Sequence, residues 1–291
     1  MATLSVPRRG LKSRIFGALA LLFSANATAD GPTSIALWYA AKPPFAALAE
    51  FDWVVVEPGH LQPSDVQRLR TSGSQPFAYL SVGEFAGDAD TLARAGLSDA
   101  ASSHRNSAWA SQVMDLTSPR WREHLLSRAQ EYRAQGYRGL FLDTLDSFQL
   151  QPVAQREAQR LALVGWLQTL HQRFPDLKLI FNRGFEVLPE LTGVADAIAV
   201  ESIHAGWDAG TRHYRAVPAN DREWLLGKLA PYKHQGLALI AIEYLPPEQA
   251  DTARALARQL CNEGFVPFIT TPQLDHVGIS TGRSHASPTC P

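Results

Sequence analysis

The sequence predicts a single α/β domain with the architecture of a (β/α)8 TIM barrel. Eight runs rich in Val, Ile, Leu and Phe are apolar almost without interruption, as in parallel strands buried on both faces. Helical patterns lie between most of these runs, and residues 30–291 are close to the roughly 250 residues of such a barrel. A doubly wound open sheet is the alternative, but no GxGxxG follows the first run.

The predicted strands are taken in chain order. They cover residues 34–40, 53–58, 76–84, 139–146, 177–185, 197–202, 237–245 and 266–271. Predicted helices cover residues 63–73, 118–136, 153–174, 221–236 and 248–264. The second of these helices has Pro119 at its first position and Gly136 at its end, which is the usual placement of both residue types. The order of strands and helices predicts one barrel over residues 30–291.

Residues 1–29 are predicted to be a cleaved signal peptide. Four basic residues and no acid precede the apolar run IFGALALLFSA, and Ala27-Thr28-Ala29 follows it. The run is shorter than the roughly 20 residues that span a bilayer, although an uncleaved anchor is the alternative. We therefore expect a periplasmic or secreted protein, cleaved near Ala29, with no stable membrane insertion after cleavage.

The formal charge bears on the class of partner, and the two cysteines bear on disulfide formation. Loss of four of the 27 basic residues and none of the 28 acidic residues would leave a formal charge of −5. No basic stripe indicates a nucleic-acid partner, so none is expected. In an oxidising compartment the two cysteines, Cys261 and Cys290, either pair or remain as two thiols, and the sequence leaves both alternatives open.

Polar and acidic residues end most of the predicted strands. In a barrel these carboxyl ends form one face, and that face carries the active site. The fourth strand leads into FLDTLDS, with Asp143 and Asp146. The other residues predicted for the same mouth are Tyr39, Glu84, Asn182, Arg183, Glu201, Glu243 and Tyr244. So many polar groups at strand ends predict a functional site.

A mouth of carboxylates and aromatic rings favours glycoside hydrolysis, which needs two carboxylates beside a sugar. No HExxH, GxSxG or Gly-rich phosphate loop occurs, so zinc, serine-nucleophile and phosphate chemistry have no support. Clustered carboxylates also suit Mg²⁺ or Ca²⁺, and a metal-dependent hydrolase stays open as an alternative. A carbohydrate-binding barrel without turnover is a second alternative. Neither a metal nor a cofactor is expected.

The motifs FLDTLDS, FNRGFEVLP and AVES, in that order, resemble those of a known enzyme family. They are similar to the glycoside hydrolase modules of PelA-type polysaccharide biosynthesis proteins (glycoside hydrolase family 166). More distantly, they resemble the endo-α-1,4-polygalactosaminidases of family 114. The resemblance runs from about Ser34 to Thr271. It implies a TIM barrel, a polysaccharide substrate of α-1,4-linked galactosamine or N-acetylgalactosamine, and catalytic acids at Asp143 and Glu201.

The roles of these two acids can also be argued from their positions. Asp143 and Glu201 end strands that are two apart, so both can reach one sugar ring. We predict a retaining reaction, with Asp143 as nucleophile and Glu201 as general acid and then base. The remaining mouth residues are predicted to bind substrate. The long segment 85–117 is predicted to shape the cleft.

Overall fold

The computed structural model describes residues 31–107 and 109–281. Eight parallel strands form the barrel, each paired with the next. They are Ile35–Trp38, Trp53–Val56, Gln75–Ser81, Gly139–Asp143, Lys178–Asn182, Ala197–Glu201, Ala238–Tyr244 and Val266–Thr270. The predicted fold class is confirmed. The predicted signal peptide, residues 1–29, lies outside the described residues.

Seven α-helices accompany the strands in the described part of the chain. Their bounds are Phe45–Leu48, Pro63–Thr71, Ala89–Arg94, Pro119–Gln135, Val153–Arg173, Ala219–Leu229 and Ala250–Asn262. The longest buries Leu163, Trp166, Leu167 and Leu170, a spacing that places them on one helical face. Each of the five predicted helices is found, but the fourth, predicted to run to residue 236, ends at Leu229 and is followed by the 3-10 turn Ala230–Tyr232.

The ring of helices is irregular between the fifth and sixth strands. That connection holds only the single 3-10 turn Leu188–Glu190. Pro189 and Gly193 lie in the short stretch that joins the two strands, and both residue types disfavour a helix interior. The fifth and sixth strands are therefore joined without an α-helix between them.

A short ninth strand closes the barrel. Ile279–Ser280 pairs antiparallel with the eighth strand, at Phe268 and Ile269. On its other side, the backbone N–H of Ile35 in the first strand donates to Ser280 Oγ at 3.2 Å. Nearer the mouth, the N–H of Tyr39 donates to the carbonyl of Leu274 at 2.9 Å. The seam between the first and eighth strands thus uses hydrogen bonds other than a regular parallel ladder.

Large apolar side chains fill the lower interior of the barrel. The rings of Trp53 and Phe77 lie 4.6 Å apart between centroids, and both are buried. The Phe77 ring lies over Gly139, where an added Cβ would come within 2.2 Å of it. Only glycine leaves room for that ring. The mouth is therefore the open end of a packed core.

Two additions extend the carboxyl end of the barrel. After the third strand, Glu84–Phe85, Ala101–Asn106 and Ser111–Met114 form a three-stranded antiparallel sheet. After the sixth strand, Ala205–Asp208 and His213–Ala216 form a hairpin. The first addition lies within the segment 85–117 that was predicted to shape the cleft.

No helix among the described residues has the length and apolar character needed to cross a membrane. Cys261 is disulfide-bonded and buried in the last helix. Cys290, the other cysteine of the chain, lies outside the described residues.

Candidate active site

Five side chains form one row across the mouth, from the third strand to the seventh. The row comprises Tyr79, Asp143, Asn182, Glu201 and Tyr244. The strand register explains why they meet. Ser81 pairs with Asp143, Asn182 with Ala199, and Ile242 with Glu201, so that positions two residues apart on these strands share the inner face. Register and alternation together bring the five groups onto that face.

Asn182 links the two predicted catalytic acids. Its Nδ2 donates to Asp143 Oδ1 at 2.9 Å and to Glu201 Oε1 at 3.1 Å. Because both neighbours are carboxylate oxygens, the amide must present its nitrogen to them. Asn182 Oδ1 is buried and has no hydrogen-bond partner among the described residues. The amide is thus committed to holding the two carboxylates side by side.

The two carboxylates are close enough to act on one bond. The two donor distances of 2.9 and 3.1 Å mean that Oδ1 of Asp143 and Oε1 of Glu201 lie at most about 6 Å apart. Retaining glycosidases hold their carboxyl groups roughly 5–5.5 Å apart, and inverting enzymes about 6.5–9.5 Å. The bound on this facing pair of oxygens is compatible with the shorter of the two separations.

A tyrosine supports each carboxylate from the outside of the row. Tyr79 donates its hydroxyl to Asp143 Oδ2 at 2.8 Å, and Tyr244 donates to Glu201 Oε2 at 2.5 Å. Burial and the neighbouring acids raise the pKa of both tyrosines far above the usual value, so the hydroxyls keep their protons. Each acid therefore receives one tyrosine hydrogen bond and one from Asn182.

The electrostatics of Asp143 combine opposing effects. Burial, and then the charge of Glu201, raise the pKa of the Asp143 carboxyl. Hydrogen bonds from Tyr79, the Thr144 backbone and Asn182 lower it, and the net direction is upward. The donors therefore stabilise a carboxylate that desolvation and repulsion disfavour. Such opposed effects are common at catalytic sites.

A tight backbone turn follows each of three site residues. Thr144, Arg183 and Ser202 come directly after Asp143, Asn182 and Glu201, with φ values of 59°, 58° and 63°.

This left-handed region costs a non-glycine residue about 1–2 kcal/mol. The N–H groups of Arg183 and Ser202 still bond the next strand, to the carbonyls of Ala199 and Ile242, both at 2.9 Å. The strands thus turn away sharply after the site residues without losing the ladder bond.

Tyr39 joins the row from the first strand. Its ring lies 5.0 Å from that of Tyr79 between centroids. Burial first, then Tyr79, Asp143, Glu201 and Tyr244, raise the pKa of Tyr39 well above its usual value. The structure therefore brings Tyr39 together with both acids, as it does Asn182 and Tyr244.

Arg183 and Asp146 lie beside this row. Burial raises the pKa of both Tyr244 and Asp146, and the positive charge of Arg183 opposes that rise in each, which places its side chain near both of them. Desolvation has the larger effect on Asp146 and raises its pKa, although the residue is exposed overall. Asp146 is therefore accessible to a ligand, and Arg183 brings a positive charge to the mouth.

Glu84 has a different environment from the other predicted site residues. It is 3% exposed, and its carboxylate accepts hydrogen bonds from Asn106, Ser111 and Ser147. Ser147 lies in the loop after the fourth strand, and the other two lie in the added sheet. Glu84 thus ties the added sheet to that loop, and the structure gives no support to its contact with a substrate.

Glu243 is likewise occupied within the protein. It is fully buried, and its carboxylate accepts the backbone N–H groups of Ile203, His204 and Ala205 at 2.7, 3.0 and 2.5 Å. Its neighbour Tyr244 faces the mouth, so Glu243 faces the other side of the strand. It anchors the loop that follows Glu201, and the predicted substrate contact has no support here either.

Tyr79 was not among the predicted site residues. The apolar run continues past Ser81 as far as Glu84, so the sequence analysis took Glu84 as the strand end, whereas the third strand ends at Ser81. Alternation would have found Tyr79, since it lies two residues before that end. No His, Cys, Asp and Glu grouping in the described part of the chain could hold a metal ion.

The family model described as "Glycoside-hydrolase family GH114" matches residues 22–285. No curated protein matches the chain.

Among solved structures, the chain is similar to the glycoside hydrolase domain of PelA from Pseudomonas aeruginosa. The two are 61% identical with a TM-score of 0.84, over 87% of this chain and 100% of that domain. Ega3 from Aspergillus fumigatus, solved with galactosamine, is 13% identical with a TM-score of 0.58, over 85% of this chain and 93% of that one. An α-galactosidase from Thermus thermophilus, solved with stachyose, is 14% identical with a TM-score of 0.52, over 84% and 62%. The last two likenesses show the fold alone.

The family match covers most of the chain, and the PelA domain aligns over its whole length. The resemblance expected from the three motifs is thereby confirmed. The chain belongs to glycoside hydrolase family GH114 and is a glycoside hydrolase.

Proposed function

We propose that this glycoside hydrolase cleaves α-1,4-linked galactosamine or N-acetylgalactosamine polysaccharide within the chain, with retention of configuration. The observation that carries the proposal is the pair Asp143 and Glu201, held by one amide at most about 6 Å apart. The likeness to the PelA hydrolase domain supports a polysaccharide substrate. The printed description of Ega3, a complex with galactosamine, supports an amino sugar.

In the proposed first step, an oxygen of Asp143 attacks the anomeric carbon of the sugar. The bond from that carbon to the glycosidic oxygen breaks, and Glu201 gives its proton to the departing oxygen. The product is a glycosyl ester on Asp143 and a shortened polymer. Tyr79 and Asn182 hold Asp143 in place for this attack.

In the second step, Glu201 takes a proton from water while the water oxygen attacks the same carbon. The ester bond to Asp143 breaks, and Glu201 ends protonated as it began. Two inversions at one carbon give net retention. Tyr244 and Asn182 orient Glu201 in both steps because each donates to one of its oxygens.

An acidic mouth suits an amino sugar. Asp146 is exposed beside the catalytic row, and in the proposal it binds a hydroxyl or an ammonium group of the substrate. Tyr39 and Arg183 line the same mouth and are proposed to contact the sugar. Export to the periplasm or medium, after removal of residues 1–29, completes the proposal; it rests on the basic and apolar pattern of the leader.

The test is incubation of the exported protein with purified α-1,4-galactosamine and N-acetylgalactosamine polymers, with products read by mass spectrometry. We expect internal cleavage that yields a range of oligosaccharides. Release of monosaccharide alone would contradict attack within the chain. If neither polymer is cleaved, although hydrolysis of an aryl glycoside shows that the enzyme is folded and active, the proposed substrate is wrong.

A further inference from the structure

The sheet added after the third strand contains a hairpin at the mouth of the barrel. Two of its strands, Ala101–Asn106 and Ser111–Met114, form an antiparallel hairpin, and Glu84–Phe85 pairs with the second. We call this hairpin the arm. It leaves the barrel at the carboxyl end of a strand, the face that carries the catalytic row.

The end of the arm that adjoins its turn is fixed to the loop of the predicted nucleophile. Glu84 accepts from Ser111 of the arm and from Ser147, four residues after Asp143. The charge of Glu84 also raises the pKa of Tyr79 and of Asp146. The turn end of the arm is therefore within electrostatic range of the catalytic row.

One side-chain hydrogen bond crosses the turn of the arm. Arg105 Nη2 donates to the carbonyl of Ala110 at 2.6 Å, across the turn. Ala110 has a φ of 52°, the left-handed conformation of a tight turn. Next to it, Trp109 is 76% exposed, the largest such aromatic surface in the described residues. Trp109 thus presents its indole ring to solvent beside this turn.

The other exposed tryptophan has partners. Trp224, on the helix Ala219–Leu229, has the Phe185 ring against it at 6.1 Å and the Lys228 ammonium over it at 5.7 Å. The strands of the arm are mostly polar, so Trp109 is not the edge of an apolar core. Its surface is available to a ligand.

We infer that Trp109 is a binding platform for a sugar of the polymer outside the cleavage position, on the Asp143 side of the mouth. One face of a galactose-type ring carries only C–H groups, and these pack on an indole face. An ammonium group on the same sugar would add a cation–π attraction. The inference rests on the proposed function, because it takes the polymer as the substrate.

The test compares Trp109→Ala with wild type on two substrates, a long polymer and an aryl α-N-acetylgalactosaminide that fills only the cleavage position. For the polymer we expect KM to rise about tenfold, as for loss of an aromatic anchor. Hydrolysis of the aryl glycoside should be unchanged. Trp109→Phe should restore most of the polymer affinity, since the ring remains.

Leu161→Ala is the matched control, since it removes an exposed apolar side chain from the helix Val153–Arg173. It should leave both substrates unaffected. Equal KM values for wild type and Trp109→Ala on the polymer would overturn the platform, as would equal losses on both substrates. If the wild-type protein cleaves the aryl glycoside but no polymer, the proposed function is wrong. That outcome is distinguishable from failure of the platform alone.

Discussion

Asp143 and Glu201 share a single hydrogen-bond donor, the Nδ2 of Asn182. That relationship fixes their separation more firmly than packing of two independent side chains would. Burial of the pair first, and then the charge of Glu201 when that group is ionised, raise the pKa of Asp143 and so oppose its ionisation. The site therefore holds an arrangement that favours catalysis and disfavours stability.

Asp143→Asn should abolish turnover and stabilise the fold. The amide keeps both contacts, because the Tyr79 hydroxyl can accept from the new NH2 group, while the cost of burying a charged carboxylate disappears. We expect a gain of about 1 kcal/mol, or about 2–4 °C in Tm for a domain of this size. Calorimetry and polymer assays measure the two effects.

The pH dependence of that gain gives a second check. The pKa of Asp143 is higher in the folded protein than in the unfolded chain. Its ionisation therefore lowers the free energy of unfolding as the pH rises from the unfolded pKa to the folded pKa. The difference in Tm between Asp143→Asn and wild type should be largest at neutral pH and shrink as pH falls below that value. Near wild-type turnover in the folded variant would contradict the role of Asp143.

Glu201→Gln should cripple cleavage of the polymer but spare the first step on a substrate with a good leaving group, which needs little protonation. Azide should rescue the second step, because the anion needs no general base, and the product should keep the α configuration. NMR of the glycosyl azide reads that configuration. An inverted product from the wild-type enzyme would contradict retention.

Tyr79→Phe should shift the acidic limb of the activity profile to higher pH. The Tyr79 hydrogen bond lowers the pKa of Asp143, and its loss removes roughly 1.5 kcal/mol of stabilisation from the charged form. That corresponds to about one pH unit. The log of kcat/KM against pH measures it. Tyr137→Phe is the control. The buried hydroxyl of Tyr137 has no hydrogen-bond partner among the described residues, so its removal should not shift the acidic limb.

Glu243→Gln should destabilise the loop after Glu201 rather than weaken substrate binding. A Gln side chain can accept on one side only, and its NH2 group would face the N–H of Ile203 or those of His204 and Ala205. One unpaired buried donor costs about 1–3 kcal/mol. We expect a lower Tm and kcat with KM nearly unchanged. A large rise in KM with Tm intact would instead restore the predicted substrate contact.

Activity should not depend on a metal ion. The catalytic row uses two acids, two tyrosines and an amide, and in the proposed mechanism the proton comes from Glu201. Treatment with EDTA followed by dialysis should leave polymer cleavage unchanged. Loss of activity that returns on addition of Mg²⁺ or Ca²⁺ would favour the metal-dependent alternative.

The barrel could be predicted from the sequence because its strands are buried on both faces and its helices have clear ends. It located Asp143, Asn182 and Glu201 because each ends a strand directly before a turn. It grouped Glu84 and Glu243 with them, because a run of apolar residues does not show where pairing stops or which side a neighbour faces. Strand register supplies both facts, and register is a property of pairs of segments far apart in the chain.

The seam of the barrel has a consequence for how the protein is made. The N–H of Ile35 in the first strand donates a hydrogen bond to Ser280 Oγ, and Thr281 donates its hydroxyl to the carbonyl of Thr33 at 2.6 Å. Those partners are about 250 residues apart, so the first strand stays without them throughout most of synthesis. A chain stopped before residue 279 would expose an open strand edge, a template for pairing with other chains. The last few strand residues therefore cover an edge that would otherwise be open to such pairing.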